Sequence, residues 1–125
     1  MDSYTLREID DLPAIAHGML KLAGEPLGIR TFGLQVLELQ PGSDDYPEHD
    51  HADDGQEEVY VVLAGSTAFE VAGERVEARP GSIVRVGAEA RRKLLPGPDG
   101  ARVLAIGCAP GGYERPEAFR VGAGA

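Results

Sequence analysis

Residues 47–65 read PEHDHADDGQEEVYVVLAG, and this stretch holds the features that decide the predicted fold. Two of the chain's three histidines, His49 and His51, stand one residue apart. A reversal signal, Asp54-Gly55, follows them, and an apolar strand begins at Glu58. Because side chains two apart on an extended strand project to the same face, the histidines can point one way together. The turn then brings Glu58 back opposite the pair.

This group of side chains is typical of a metal site. Neutral imidazoles side by side suit a divalent transition metal, and a carboxylate completes a common ligand set. We therefore predict His49, His51 and Glu58 as metal ligands, a set that Fe, Mn, Zn, Ni and Cu fit almost equally. The alternative is a solvated acidic loop in which the two histidines bind nothing.

The remaining sequence predicts an all-β protein. Glycine- and proline-based turn signals separate short runs rich in valine, leucine and isoleucine. Residues 4–8 are compatible with a first strand, and residues 14–27 with strands joined by a turn or with a short helix. The clearer strand predictions are residues 31–39, 58–64, 67–72, 75–78, 82–86, 92–95 and 102–108. Seven or more closely spaced strands without a long helical pattern between them favour an antiparallel sandwich or barrel.

Charge and composition exclude several classes of partner. Acidic residues outnumber basic ones by 21 to 12, giving a net charge of −9. That field repels a phosphate backbone, so we expect no nucleic-acid partner. No apolar run approaches the roughly 20 residues needed to cross a bilayer, and residues 1–13 lack the pattern of a signal peptide. The single cysteine fits a reducing compartment. We expect a cytoplasmic protein with no membrane association.

Two motifs resemble those of the cupin superfamily. Residues 41–65 are similar to the first cupin motif, in which a glycine, His-x-His, a glutamate and a further glycine follow in order. Six residues separate Glu58 from Gly65, and this spacing selects Glu58 over Glu57 as the inward carboxylate. Residues 73–92, GERVEARPGSIVRVGAEARR, resemble the second motif, with its glycine, Pro-Gly turn and strand.

The resemblance implies a fold and a binding site. The fold is a cupin-like double-stranded β-helix, a jelly-roll barrel of two antiparallel sheets, whose mouth holds a metal and a small ligand. On this interpretation residues 1–125 form a single cupin domain, with its barrel core at about 30–108 and a C-terminal tail at 109–125. Family resemblance and the exposed edges of a small open barrel also predict a homodimer.

This chain departs from the cupin pattern at Arg92 and in the loop before Glu58, which is about two residues longer than usual. Arg92 stands where the second motif ordinarily ends in a histidine, and a protonated guanidinium does not ligate metals. One hypothesis is a three-ligand metal site in which Arg92 binds a substrate carboxylate or phosphate. A second is that Arg92 replaces the metal and pairs with Glu58. A third is that the side chain extends outward and only its stem packs.

Three further residues complete the candidates. Tyr60 shares the inward face of Glu58 and is predicted to line the pocket and contact substrate, with proton donation near a metal as an alternative. His17 is the remaining histidine and supplies a fourth ligand if its strand lies across the barrel, although a packed or exposed role is more common. Cys108 ends an apolar run and is predicted to be a buried, inert thiol.

Two functions follow from this interpretation. The first is a metal-dependent enzyme acting on a small carboxylate- or oxygen-bearing substrate; oxygenase, isomerase and lyase chemistries all occur among cupins, so fold does not select one. The second is a metal-free module that binds or senses a small ligand, with Arg92 paired to Glu58. A barrel that serves only to dimerise, with its pocket filled by its own side chains, is the remaining alternative.

Overall fold

The computed structural model describes residues 3–122, and its strands form antiparallel pairs throughout. The strand order is β1-β2-β3-β7-β4-β5, and β6 pairs with β4. The strands are β1 Ala14–Ile15, β2 Leu20–Leu22, β3 Gly33–Leu39, β4 Glu57–Val71, β5 Glu74–Ala78, β6 Ile83–Val86 and β7 Arg92–Cys108. The helical elements are α1 Gly24–Leu27 and the 3-10 helices Ile9–Asp11 and Glu117–Phe119. An all-β cupin-like barrel is confirmed.

Two long strands join the two sheets of the barrel. The first half of β4 pairs with β6 and with the second half of β7, which also pairs with β3. The second half of β4 pairs with β5 and with the first half of β7. Register shifts at Val62/Ala64 and Gly65/Thr67 mark the place where β4 passes from one sheet to the other.

Each long strand was predicted as two shorter ones separated by a turn. The prediction is wrong at Gly65 and at residues 96–100, where the strand bends without reversing direction. Gly65 has φ +70°, and a Cβ there would lie 2.0 Å from the carbonyl oxygen of Gly100. The two strands therefore cross so closely at the bend that only a glycine fits.

Period-2 alternation places one face of the strands in the core. In β4, Glu58, Tyr60 and Val62 are buried, whereas Leu63 on the opposite face is exposed, as the sequence predicted. The inward residues of both sheets meet in one cluster that includes Leu37, Tyr60, Val62, Phe69, Leu94 and Val103. The site described below lies at one end of this core, where β4 and β7 begin.

The first sheet of the barrel contains β3, β6, the first half of β4 and the second half of β7. The N-terminal segment packs against the outer face of this sheet. Residues 4–8 form no strand, contrary to expectation, because they are exposed and have no strand beside them. Residues 14–27 contain both predicted alternatives, two short strands and a four-residue helix. Arg102 anchors this segment through Asp10, at 2.6 Å, and also pairs with Glu38. Within residues 3–122, no helix is long and apolar enough to span a membrane.

Candidate metal centre

His49, His51 and Glu58 form a cluster suited to a metal ion. One ligand atom from each residue lies within 4.8 Å of the other two. The histidines come from the segment before β4, and Glu58 is the second residue of that strand. The sequence-predicted ligand set is thus brought together by the fold.

The turn between the histidines and Glu58 forms as the sequence predicted. Gly55 adopts φ +71°, and its amide donates to the carbonyl oxygen of His51 at 2.7 Å. The Asp54 carboxylate accepts from the backbone amide of Gln56 at 3.2 Å. These bonds reverse the chain, so β4 starts with Glu58 facing the histidines.

Hydrogen bonds fix which nitrogen of each imidazole faces the cluster. Nδ1 of His49 lies 2.9 Å from the carbonyl oxygen of Pro47, and Nδ1 of His51 lies 3.1 Å from Oδ1 of Asp54. Carbonyl and carboxylate oxygens only accept, so each Nδ1 is the donor. In the neutral imidazole, each Nε2 then carries a lone pair directed at Glu58. An acceptor on the other ring nitrogen, here from Pro47 or Asp54, is the arrangement that commonly orients histidine ligands of metals.

The cluster brings more acceptors together than donors. Nε2 of His51 lies 3.0 Å from Oε1 of Glu58, but the contact is not aligned as a hydrogen bond, and this buried nitrogen has no hydrogen-bond partner among the described residues. Nε2 of His49 lies 3.8 Å from the same oxygen. Two imidazole lone pairs beside a carboxylate repel one another unless a proton or a cation lies between them. The donor set therefore fits a divalent transition metal.

Glu58 is ionised at the centre of the cluster. Burial alone would raise the pKa of Glu58, but the nearby His49, the hydrogen bond from Tyr60 and the charges of His51 and Arg92 lower it to about 2. The nearby Glu58 carboxylate raises the pKa of His49 above its ordinary value, against the opposing effect of burial. Without a metal, a proton on His49 stabilises the cluster, and a metal must displace it.

Tyr60 lies behind Glu58 and is fully buried. Its hydroxyl donates to Oε1 of Glu58 at 2.7 Å and lies 3.1 Å from the hydroxyl of Tyr46. Burial raises the pKa of the Tyr60 phenol well above its ordinary value and that of Tyr46 to about 12, so both phenols stay protonated. A direct contact between Tyr60 and a substrate stays a prediction.

Arg92 points into the barrel and has an exposed fraction of 0%, which excludes the outward-extending hypothesis. Nη1 donates to Oε1 of Glu58 at 2.5 Å. Nε donates to the carbonyl oxygen of Ala90 at 3.1 Å, and Nη2 to that of Gly87 at 2.8 Å. Among residues 3–122, these three bonds leave two of the five guanidinium N–H groups without a partner. The Arg92–Glu58 pair of the second hypothesis is present, and contact of Arg92 with a substrate stays a prediction.

Gly107 leaves the space that Glu58 and Gln56 occupy. It pairs with Glu58 across the β4–β7 ladder. A Cβ at this position would lie 2.6 Å from Oε1 of Gln56 and 3.3 Å from Cγ of Glu58. Sequence reasoning missed this role, because the contact joins residues about fifty positions apart.

The structure places three other residues differently from the sequence interpretation. His17 lies at the exposed turn between β1 and β2, outside the cluster. Cys108 is exposed, so the predicted buried thiol is wrong. It shares the outward face of β7 with Ile106, because alternation continues to the strand's last residue. Tyr46 was missed, although an aromatic residue just before the His-x-His pair is a signal that could have identified it.

Comparisons with known proteins agree with the fold. The sequence matches the Cupin_2 family, described as a cupin domain, over residues 35–107. No curated protein matches the chain.

Three solved structures share the fold. A cupin protein from Bacteroides fragilis has a TM-score of 0.77 and 20% identity, covering 93% of this chain and 92% of the other. A sugar phosphate isomerase from Silicibacter pomeroyi has a TM-score of 0.63 and 21% identity, covering 71% of this chain and 57% of the isomerase. A predicted oxalate decarboxylase from Thermotoga maritima has a TM-score of 0.58 and 21% identity, covering 72% and 76%.

Proposed function

The chain belongs to the cupin family, and from this premise we propose that His49, His51 and Glu58 bind a divalent transition metal that acts on a small oxygen-bearing anion. The observation that carries the proposal is the buried, unpartnered Nε2 of His51 beside an ionised Glu58. A divalent ion would satisfy this nitrogen, the second imidazole and the carboxylate at once.

The residues around the ligands have supporting roles in this proposal. Asp54 and the carbonyl of Pro47 hold the two imidazoles in the tautomer that presents Nε2. Tyr60 and Arg92 hold Oε1 of Glu58, which limits the positions that the carboxylate can adopt. When bound, the metal would supply Lewis-acid or redox chemistry at a position open to substrate, because three protein ligands leave coordination sites free.

The substrate class is inferred from charge. Arg92 carries a positive charge beside the proposed metal, so an anionic ligand is favoured. The sugar phosphate isomerase and the predicted oxalate decarboxylase of the same fold have names that refer to anionic compounds. At their level of identity those names describe those proteins alone, and the reaction catalysed by this chain follows from neither.

A second candidate function is supported by the 2.5 Å contact between Arg92 and Glu58. Because the guanidinium already neutralises the carboxylate, the barrel could bind a small ligand without a metal. That module would keep its ligand affinity in the presence of a chelator, whereas the metal-dependent protein would lose it.

We also propose a homodimer formed through the outer face of the first sheet. Ile83 is 70% exposed and lies directly opposite Val61, which in turn lies opposite Leu104. Among the described residues, β6 pairs only with β4, so its other edge remains available. A second copy that covered this apolar strip would also protect the edge.

Elemental analysis of untagged protein purified without chelator tests the proposed metal. We expect about one transition metal ion per chain, from the single three-ligand cluster, and its loss in the His49→Ala, His51→Ala double variant. The matched control is His17→Ala, which removes an exposed histidine outside the cluster and should retain the metal. If the untagged wild-type protein holds no metal, and takes up none when iron, manganese or zinc is added, the metal-dependent function is wrong.

A further inference from the structure

The oxygen of Glu58 that faces the histidines is already used by two donors. Oε1 is the atom nearest both Nε2 nitrogens, at 3.0 Å from His51 and 3.8 Å from His49. The same atom accepts from Arg92 at 2.5 Å and from Tyr60 at 2.7 Å. Arg92 is the charged member of this pair of donors, so it competes with a metal for the negative charge of the carboxylate.

The charge of the buried pair changes when a divalent ion binds. Arg92 and Glu58 together carry no net charge, and a divalent ion raises the total to +2 if both imidazoles are neutral. The side chain of Arg92 is 0% exposed, and that of Glu58 is 11% exposed. Unbalanced charge at such depth is unfavourable, because the charged groups are removed from water. The carboxylate of Asp54 contacts Nδ1 of His51, but its side chain is 50% exposed and therefore offsets little of this charge.

Two features of the cluster would allow an anion to correct this imbalance. The guanidinium of Arg92 has two N–H groups without a partner among its three side-chain bonds. The side chain of His49 is 32% exposed, so the cluster is accessible from solvent on that side. A small carboxylate or phosphate would bring both the missing negative charge and planar or tetrahedral acceptor oxygens.

We propose that a divalent metal and a small oxyanion bind this site cooperatively, with Arg92 as the residue that couples them. The inference rests on the proposed metal function and adds to it the class of ligand and the effect of each ligand on the affinity for the other. Metal alone binds less tightly than it does with the oxyanion present, because it competes with Arg92 for Glu58. The oxyanion restores charge balance, so each ligand strengthens the binding of the other by the same factor.

Titration of the wild-type protein with Co²⁺ tests the coupling. Calorimetry and the visible absorption of the bound ion measure the binding. The probe anion is acetate, a monocarboxylate that holds free Co²⁺ only weakly, and perchlorate at matched ionic strength is the reference. We expect acetate to raise the affinity for Co²⁺ by about tenfold, a typical coupling between two sites. Equal affinities in acetate and perchlorate would overturn the inference.

Variants at Arg92 identify the coupling residue. Arg92→Met removes the competing cation and should bind Co²⁺ more tightly than wild type in perchlorate, with no further gain from acetate. Arg92→Met removes one of the two donors to Glu58 and the side-chain donors to the carbonyl groups of Gly87 and Ala90, so circular dichroism first establishes that it folds. Arg92→Gln, whose neutral amide can still donate to Glu58 and adds no imidazole ligand, provides a second test and should likewise lose the response to acetate.

The matched control is Arg91→Met, which removes the same charge one residue away. Arg91 is 57% exposed and pairs with Glu48 and Asp50, so this variant should keep the response to acetate. If wild type binds Co²⁺ but both Arg92 variants retain the response, the role of Arg92 is wrong and the metal site stands. If no protein in the series binds Co²⁺, the proposed metal function itself fails, and the coupling with it.

Discussion

His49 and Arg92 form a mutual backbone pair: the amide of His49 donates to the carbonyl of Arg92 at 3.1 Å, and the amide of Arg92 donates to the carbonyl of His49 at 2.8 Å. The pair joins the segment that carries the histidines to the first residue of β7. It therefore fixes Arg92 beside the cluster, and the Arg92 side chain reaches Glu58 although its backbone pairs with Val71 at the other end of β4.

Glu58→Gln should destabilise the protein by about 3 kcal/mol, because it leaves the buried Arg92 guanidinium without a charged partner. Urea denaturation measures the loss. Glu57→Gln is the matched control, since Glu57 is 45% exposed and pairs with an exposed Arg85, so its loss should stay under about 1 kcal/mol. In a double-mutant cycle, adding Arg92→Met to Glu58→Gln should cost much less than Arg92→Met costs alone. Additive losses would contradict the pairing.

Acid should destabilise the metal-free protein through Glu58. The pKa of Glu58 is about 2 in the folded protein, below its ordinary 4.5. Between these values the unfolded chain binds more protons, so the contribution of Glu58 is complete above about pH 5 and falls as the pH drops toward 2. Unfolding free energy measured across this range should decline less steeply in Glu58→Gln than in wild type. Parallel curves for the two proteins would show that Glu58 is not the titrating group.

Gly65→Ala should destabilise the protein by about 3 kcal/mol or more, from overpacking and a left-handed backbone. The added Cβ would lie 2.0 Å from the carbonyl oxygen of Gly100, where β4 and β7 cross. Gly42→Ala is the control, because Gly42 has φ +62° but open space around its Cβ position. Thermal unfolding compares the two variants. Equal losses would mean that backbone strain alone, without the close approach, accounts for the effect.

Gly107→Ala should weaken metal binding more than it weakens the fold. The added Cβ presses on the flexible end of Gln56 and on Glu58, so the side chains can move but the carboxylate leaves its position. Calorimetric titration with Co²⁺ should show at least a several-fold loss of affinity, because binding weakens when the residues that position a metal ligand are disturbed. Gly33→Ala, on the paired strand, places its Cβ 3.6 Å from the carbonyl of Gly107 and should bind Co²⁺ like wild type. Unchanged affinity in Gly107→Ala would show that Glu58 tolerates the crowding.

Ile83→Lys should convert the proposed homodimer to a monomer, because it places a charge in the apolar strip on the outer sheet face. Sedimentation velocity measures the mass in solution. Val121→Lys introduces the same charge in the exposed C-terminal segment and should leave the dimer intact. A wild-type protein that sediments as a monomer would rule out the dimer, and a dimeric Ile83→Lys would move the interface elsewhere.

The sequence determined the fold class and the members of the candidate metal cluster because both depend on short-range patterns. Alternation with a period of two fixed the inward face of β4, including Glu58 and Tyr60. The Asp54-Gly55 turn predicted how Glu58 returns to the histidines, and this turn forms. The same local reasoning divided β4 and β7 at glycine and proline signals, which mark bends as well as reversals.

Only the tertiary structure decided the rest, because the contacts join residues far apart in the chain. Arg92 lies 34 positions from Glu58, and the sequence left both an inward and an outward side chain open. The closeness of Gly65 to Gly100 and of Gly107 to Glu58 likewise depends on how two long strands cross. A sequence states which side chains a strand can present, whereas strand pairing across the barrel decides which of them meet.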